Sequence, residues 1–282
     1  MPGPSFQVDP RCDRYCVVGN PIGHSLSPRI HQAFAEQTGE RIDYRALLAP
    51  LDRFLETALE FFTAGGRGMN VTLPFKEEAW AFASLRSAPA ETAGAANTLW
   101  RDGEGRYHGD NTDGIGFLRD YLDNHGGSVQ GQRVLVLGAG GAVRGLLGSL
   151  MKQRPARLVV VNRTPSKARA LYERFSPLGE ISICEYGALV GQRFDAVING
   201  TAASLGAELP PLPSRILAAG AWCYDLVYAP EPTRFMRWGL ECGAARALDG
   251  LGMLVEQAAE AFSIWRRVRP ATGPVIEMLR RE

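Results

Sequence analysis

A short apolar segment followed by a glycine-rich turn constrains the fold of this chain more than any other feature. Residues 133–137 are Arg-Val-Leu-Val-Leu, residues 138–142 are Gly-Ala-Gly-Gly-Ala, and residues 143–152 have a helical pattern. A second apolar segment follows at residues 158–161. A strand, turn, helix and strand within about thirty residues are typical of a βαβ unit of the Rossmann type. We therefore expect a parallel sheet with helices packed on it.

The glycine-rich turn suits the binding of a dinucleotide. Glycines let the backbone approach a pyrophosphate, and the helix that follows offers free N–H groups and a partial positive charge. The third glycine of the usual fingerprint is replaced by Val143, so a purely structural turn is the alternative. We assign cofactor binding to the residues of this turn: Gly138, Ala139, Gly140, Gly141 and Ala142.

The residues after the second strand favour NADP over NAD. NAD-binding proteins usually place Asp or Glu there, about twenty residues past the turn, to bind the ribose hydroxyls. This chain instead has Asn162, Arg163 and Thr164, with Lys167 one turn later. Arginine can stack on adenine while it binds the 2′-phosphate, and no carboxylate is present to repel that phosphate. We assign these four residues to NADP binding; a solvated basic helix start is the alternative.

The first part of the chain has its own alternation of strands and helices. Apolar strand patterns at residues 15–19, 44–48 and 68–73 alternate with helical patterns at 51–62 and 75–85. A hairpin is expected after them, around Asp102-Gly103. This alternation predicts a second α/β unit with a largely parallel sheet.

A length of 282 residues suits two domains of ordinary size. We expect residues 15–112 plus 250–282 to form an α/β substrate-binding domain, with the C-terminal helices returning to it. Residues 113–249 should form the Rossmann-type NADP-binding domain. Residues 1–14 are expected to be a flexible leader.

Charge and cysteine content narrow the class of protein. Thirty-one Lys and Arg nearly balance thirty Asp and Glu, so nothing favours nucleic acid or an anionic membrane as a partner. No apolar stretch reaches the length of about 18 residues that a membrane helix needs, and the N-terminus lacks the apolar core of a signal peptide. Five scattered cysteines favour reduced thiols in the cytoplasm. Cys12 and Cys16 lack a second Cys/His pair, so we expect no metal site.

Polar residues in the first half of the chain form a candidate substrate site. Ser25 and Ser27 lie at a predicted helix start, where hydroxyls and free N–H groups suit a carboxylate, and Ser27 suits the N-cap. Asn70 and Thr72 alternate with apolar residues, so both should face the same side of a strand end. Lys76 follows near a helix start. Simple capping by the serines and a surface position for the lysine are the alternatives.

These segments together resemble the shikimate dehydrogenase family. The matching runs are GNPIGHSLSP at 19–28, NVTLPFKE at 70–77, ANT at 96–98, GDNTDG at 109–114 and DGLGM at 249–253. The resemblance extends in register over about residues 15 to 280. Two departures concern the nicotinamide contacts, since Ala202 replaces a frequent Ser and Leu226 replaces a frequent Met.

The resemblance implies a role for individual residues. Lys76 and Asp113 correspond to the catalytic pair of the family, and Leu226 and Gly250, in two separate segments, are expected to touch the cofactor. Together with the strand argument for Asn70, the resemblance assigns substrate binding to Ser25, Ser27, Asn70, Thr72, Asn97, Tyr228 and Gln257.

The activity that the resemblance implies is the reduction of 3-dehydroshikimate to shikimate by NADPH, on the pathway to chorismate and the aromatic amino acids. An enzyme of the same fold that also accepts quinate, with relaxed cofactor choice, is an alternative. A non-catalytic metabolite sensor is another, although a sensor would not need both Lys76 and Asp113. A methyltransferase could share the glycine-rich turn but would not explain the two serines. A homodimer is left open.

Overall fold

The computed structural model describes residues 12–201 and 209–281, which form two six-stranded sheets. The first sheet has the order β2-β1-β3-β5-β6-β4. β1 pairs in parallel with β2 and β3, whereas β5 pairs antiparallel with β3 and β6, which confirms the hairpin. Its strands are β1 (Asp13–Gly19), β2 (Ile42–Leu48), β3 (Gly66–Val71), β4 (Leu85–Arg86), β5 (Thr98–Arg101) and β6 (Tyr107–Asp110).

Six helices pack around the first sheet. The last two come from the C-terminal end of the chain, and the apolar side of α9 meets that of α1 around Phe34 and Phe262. Burial of these apolar stripes holds the chain end against the first sheet. The helices are α1 (Ser27–Thr38), α2 (Phe54–Thr63), α3 (Lys76–Phe82), α4 (Ala88–Ala93), α9 (Leu251–Arg266) and α10 (Gly273–Arg280).

The second sheet is parallel throughout its described pairs and has the order β12-β11-β10-β7-β8-β9. The strand order reverses at β7, where α/β proteins bind ligands beside the strand ends. Its strands are β7 (Arg133–Leu137), β8 (Arg157–Val161), β9 (Ser182–Cys184), β10 (Phe194–Asn199), β11 (Leu217–Asp225) and β12 (Arg246–Leu248). The helices are α5 (Asp113–Leu118), α6 (Gly141–Lys152), α7 (Pro165–Phe175) and α8 (Arg234–Glu241). The predicted two-unit α/β fold is thereby confirmed.

Helix α5 joins the two units through close glycine contacts. A Cβ on Gly114 would lie 2.7 Å from the carbonyl oxygen of Gly145 in α6, and a Cβ on Gly116 would lie 2.6 Å from the Cβ of Gln257 in α9. Only glycine permits backbones to approach this closely. The packing places Asp113, the first residue of α5, between the two units.

Three local predictions differ from the structure. β1 begins at Asp13, so residues 13 and 14 belong to the sheet and not to a leader, because Asp13 forms ion pairs with Arg67 and Arg266. Ser27 is the first helical residue of α1 and does not cap it. β3 ends at Val71, which leaves Thr72 in the following turn. Residues 1–11 of the expected leader lie outside the described residues.

Some elements were not expected from the sequence. Residues 88–93 and 234–241 form short helices, and residues 119–124 form a π-helix where a regular helix was expected. Of the helices in the described ranges, none combines the length and the apolar character needed to cross a membrane.

Candidate active site

A cavity of about 550 Å³ is lined by residues from both units. It lies beside the ends of β1 and β3, and the chain after β11 closes another side. All nine residues assigned to catalysis or substrate binding line this cavity: Ser25, Ser27, Asn70, Thr72, Lys76, Asn97, Asp113, Tyr228 and Gln257. Three residues assigned to the cofactor also line it: Ala142, Leu226 and Gly250.

Lys76 and Asp113 form an ion pair in the cavity wall. The Lys76 Nζ donates a hydrogen bond of 2.6 Å to the Asp113 Oδ2, and the two side chains are only 14% and 5% exposed. Each residue begins a helix, α3 and α5 respectively, so both side chains are anchored by rigid elements. Because water is largely excluded, the interaction is stronger than that of a surface pair. The arrangement can donate a proton and stabilise negative charge on a bound ligand.

Asn97 orients the carboxylate of this pair. Its Nδ2 donates to the Asp113 Oδ1 at 2.9 Å, while its Oδ1 accepts the backbone N–H of Thr112 at 2.8 Å. The same Nδ2 lies 3.2 Å from the Oε1 of Gln257. Asn111 contributes its Oδ1, which accepts the backbone N–H of Asp113 at 3.2 Å. Both carboxylate oxygens of Asp113 therefore have a donor, and the carboxylate is held in one orientation.

Sequence reasoning missed Asn111 and Thr112 as site residues. Both lie inside the GDNTDG run, directly before Asp113. Asn and Thr before a helix start commonly bond to backbone N–H groups, so this capping pattern was the available signal.

The two serines lie at the start of α1. The Ser25 Oγ accepts the backbone N–H of Ser27 at 3.3 Å, and this bond spans Leu26, the N-cap residue of α1. Tyr228, which follows β11 in the second unit, lines the same cavity as the two serines, and burial raises the pKa of this tyrosine. Residues of both units therefore surround the two serines.

Asn70 makes more hydrogen bonds to the protein itself than the sequence suggested. Its Nδ2 donates to the carbonyl oxygen of Asn97 and to the Thr98 Oγ1, both at 3.2 Å. Its Oδ1 accepts the hydroxyl of Tyr44 at 2.7 Å. Asn70 therefore reaches a ligand mainly through the remaining lone pair of its oxygen. Tyr44 had no signal in the sequence, because it occupies an ordinary strand position, whereas Thr98 lies in the ANT run at 96–98 but had no role assigned to it.

The glycine-rich turn fits a pyrophosphate. Gly138 has φ of +104°, and a Cβ there would lie 2.9 Å from the carbonyl oxygen of Gly200. A Cβ on Gly140 would meet nothing within 4 Å, and no side chain caps α6. The N–H groups of the first turn of α6 are therefore available to an anion. A Cβ on Gly141 would lie 3.6 Å from the Lys76 Cδ, so this turn adjoins the ion pair.

The residues assigned to the 2′-phosphate lie apart from the cavity, at the end of β8. Arg163, Thr164 and Lys167 are exposed, and the first turn of α7 contains no acidic residue. The Asn162 Nδ2 donates to the carbonyl oxygen of Thr164 at 2.9 Å, which fixes the bend before α7. This site is basic and lies one strand away from the glycine-rich turn, so it suits the far end of a dinucleotide.

The other cofactor assignments lie around the end of β11. The backbone N–H of Leu226 donates to the carbonyl oxygen of Asn199 at 2.9 Å. A Cβ on Gly250 would lie 2.3 Å from the Leu226 carbonyl oxygen, so the two segments are in direct contact. Ala202, the other departure from the family pattern, lies outside the described residues.

The fold and the site define a two-unit α/β dehydrogenase, with a lysine–carboxylate pair next to a dinucleotide-binding turn. Three family models match the chain: the shikimate dehydrogenase substrate binding domain at residues 17–99, shikimate / quinate 5-dehydrogenase at 121–206, and the shikimate 5′-dehydrogenase C-terminal domain at 250–280. The chain belongs to the shikimate dehydrogenase family, and the resemblance found in the sequence is confirmed.

Individual relatives extend over nearly the whole chain. A shikimate dehydrogenase (NADP(+)) of Alkalilimnicola ehrlichii is 55% identical over 96% of this chain and 99% of its own length. One of Methylococcus capsulatus is 56% identical over 96% of this chain and 97% of its own length. The crystal structure of a Thermus thermophilus shikimate 5-dehydrogenase in complex with NADP(H) and shikimate has a TM-score of 0.84 at 35% identity, covering 95% of this chain and 99% of that chain.

Proposed function

We propose that this chain catalyses the reversible, NADPH-dependent reduction of 3-dehydroshikimate to shikimate, on the pathway to chorismate and the aromatic amino acids. The observation that carries the proposal is the buried ion pair of Lys76 and Asp113, 2.6 Å apart, in the same cavity as Ser25 and Ser27. The names of the relatives and the complex of the Thermus thermophilus enzyme support the same activity.

The cavity wall supplies the polar groups that a carboxylated, hydroxylated ring requires. Ser25 and Ser27, at the start of α1, would bind the carboxylate, with Tyr228 closing over them. Each hydrogen bond to a charged partner contributes about 1.5–3 kcal/mol. Thr72 and Gln257 line the cavity next to the ion pair and would bind ring hydroxyls.

When bound, NADPH supplies the hydride that reduces the ring carbonyl. The Lys76 ammonium donates a proton to the carbonyl oxygen as negative charge develops there. Asp113 keeps the Nζ in place and balances its charge within the buried pair. Asn97 holds Asp113 in turn through the 2.9 Å bond to Oδ1, so the pair does not rotate during the reaction.

The residues that would hold NADPH form two groups. The turn from Gly138 to Ala142 and the start of α6 would bind the pyrophosphate. Arg163 would stack on the adenine and, with Lys167, bind the 2′-phosphate, while Asn162 and Thr164 shape the bend that carries them. The exposed basic surface at the end of β8 supports NADP over NAD.

The deciding experiment compares NADPH oxidation by the purified chain with 3-dehydroshikimate, with 3-dehydroquinate, and with NADH in place of NADPH. The proposal requires efficient turnover with 3-dehydroshikimate and NADPH. Comparable turnover of 3-dehydroquinate would favour the shikimate/quinate activity that one matching family model names. Binding of shikimate without any turnover would instead support a metabolite sensor.

We further propose that the chain divides into two domains, residues 15–112 plus 250–282 and residues 113–249. The chain passes between them near residues 112 and 249, and these two places would act as hinges. The two separate sheets support this division. Within the described ranges every cysteine side chain is unpaired, which supports a cytoplasmic location.

We propose a homodimer as the assembly. Leu55 and Leu59 lie one turn apart on α2, Leu51 lies shortly before this helix, and the three are 53%, 39% and 66% exposed. An apolar stripe of this kind suits a two-fold interface with a second copy. Sedimentation of the wild type and of Leu55→Glu tests the assembly, since the variant should be monomeric.

A further inference from the structure

We propose that Tyr44 and Thr98 are positioning residues, which hold the substrate-binding and catalytic side chains in register through one buried chain of hydrogen bonds. This inference rests on the proposed function. Neither residue lines the cavity. Both act through side chains that do.

The first half of the hydrogen-bond chain runs from β2 to β3. The Tyr44 hydroxyl donates to the Asn70 Oδ1 at 2.7 Å. Tyr44 lies on β2 and Asn70 on β3, the two strands on either side of β1. The tyrosine hydroxyl therefore reaches an asparagine two strands away, and this asparagine lines the cavity.

The second half runs from β3 to the ion pair. The Asn70 Nδ2 donates to the Thr98 Oγ1 at 3.2 Å, and this hydroxyl donates to the Asn97 Oδ1 at 3.0 Å. Asn70 and Thr98 are directly paired across β3 and β5. The Asn97 Nδ2 then donates to the Asp113 Oδ1 at 2.9 Å. The hydrogen bonds thus connect Tyr44 to Asp113 without a break.

The donors and acceptors around Asn70 and Asn97 allow only one orientation of each side-chain amide. If the Asn97 amide were flipped, its oxygen would face the carboxylate of Asp113, and its NH2 group would face the backbone N–H of Thr112. A flipped Asn70 would place its oxygen against the carbonyl oxygen of Asn97. The hydroxyls of Tyr44 and Thr98 are the donors that favour the observed orientations. A fully satisfied buried network of this kind specifies one geometry.

Burial and stacking keep the linking groups in place. Thr98 is fully buried and Tyr44 is 8% exposed. The Tyr44 ring stacks on His31 with 4.0 Å between ring centroids and an angle of 7° between the planes. Since the ring cannot swing away, the hydroxyl keeps Asn70 as its partner.

The test compares variants that remove one oxygen atom each while keeping the shape of the side chain. Tyr44→Phe removes the link between Tyr44 and Asn70, and Thr98→Val removes the link between Asn70 and Asn97. Thr98→Ser restores the hydroxyl. Tyr121→Phe is the matched control, because Tyr121 is equally buried but belongs to the core of the second sheet.

The kinetic expectations differ between the two links. Tyr44→Phe should raise the KM for 3-dehydroshikimate by about tenfold, because Asn70, which lines the cavity, loses a hydrogen bond that orients it. Thr98→Val should lower kcat by about 10–100-fold, because a displacement of about 1 Å at the reacting groups costs about 10²-fold. The KM for NADPH should not change in either variant. Thr98→Ser should recover most of the lost kcat, and Tyr121→Phe should match the wild type.

Unchanged kcat and KM in both Tyr44→Phe and Thr98→Val, with an active wild type, would overturn the inference. A lower melting temperature with intact kinetics would assign the two residues a structural role only and would also overturn it. If the wild type itself does not reduce 3-dehydroshikimate, the proposed function fails instead. Calorimetric titration of shikimate into the same variants then tests the link, and equal affinity in Tyr44→Phe and the wild type would refute it.

Discussion

Replacing Gly145 with alanine should displace the carboxylate of Asp113 without unfolding the protein. Gly145 lies on α6, the helix that follows the glycine-rich turn, and faces the start of α5. A Cβ at this position would lie 2.8 Å from the Asp113 Oδ2 and 2.8 Å from the Asn111 Oδ1. Both oxygens belong to the network around the ion pair, so the substitution acts directly on the site.

The size of the effect follows from these distances. Favourable non-bonded separations begin near 3.5 Å, so Asp113 or α6 must move by roughly 0.7 Å. A misplacement of about 1 Å can cost about 10²-fold in rate, and we therefore expect kcat to fall by about 10–100-fold. Alanine is favoured over glycine inside a helix by about 1 kcal/mol, which offsets part of the strain. The melting temperature should therefore change little.

The assay is steady-state turnover of 3-dehydroshikimate, with thermal unfolding measured on the same preparations. Gly148→Ala is the matched control, since it lies one turn further along α6 and its Cβ would meet the Thr92 methyl group at 2.8 Å instead of a carboxylate. Wild-type kcat in Gly145→Ala would refute the reasoning. An equal loss in Gly148→Ala would show that movement of the whole helix, and not contact with Asp113, is responsible.

Three further outcomes are expected. Lys76→Ala should lower kcat by about 10²–10⁴-fold with a smaller change in substrate affinity, and near-normal turnover would remove Lys76 from the mechanism. Arg163→Asp should raise the KM for NADPH far more than that for NADH; an unchanged ratio of the two KM values would contradict the assigned phosphate site. Burial lowers the pKa of His31 to about 3, so the unfolded chain binds a proton that the folded chain excludes. The free energy of unfolding should fall by about 1.4 kcal/mol per pH unit below about pH 6.5. Urea titrations at several pH values should show that this free energy depends less on pH in His31→Phe than in the wild type.

Much of the fold could be predicted because its strands are continuous apolar segments next to glycine-rich turns. The strand predicted at residues 133–137 has those bounds in the structure. The helix at residues 234–241 was missed, because eight residues contain too few turns for a clear periodicity. The position of β4 beside β6 could not be predicted, since nothing local to a two-residue strand determines its neighbour.

The candidate site likewise contains residues that could be predicted from the sequence and residues that could not. Lys76 and Asp113 were identified from runs of sequence around them, and the structure places them 2.6 Å apart. Tyr44 was missed because a tyrosine in a strand resembles any other core residue until its hydroxyl is seen to meet Asn70. Gly145 was missed as well, because its importance comes from the close contacts that a side chain there would make with Asn111 and Asp113.

By itself the sequence determined the two α/β units, the dinucleotide-binding turn, the basic residues after β8 that favour NADP, and the identity of the charged pair. Local patterns suffice for these features, because they depend on which residues follow one another. Only the tertiary structure decided how α5 fits between α6 and α9, and which side chains connect Tyr44 to Asp113. Those features depend on close approaches between positions far apart in the chain, and such distances are set by packing.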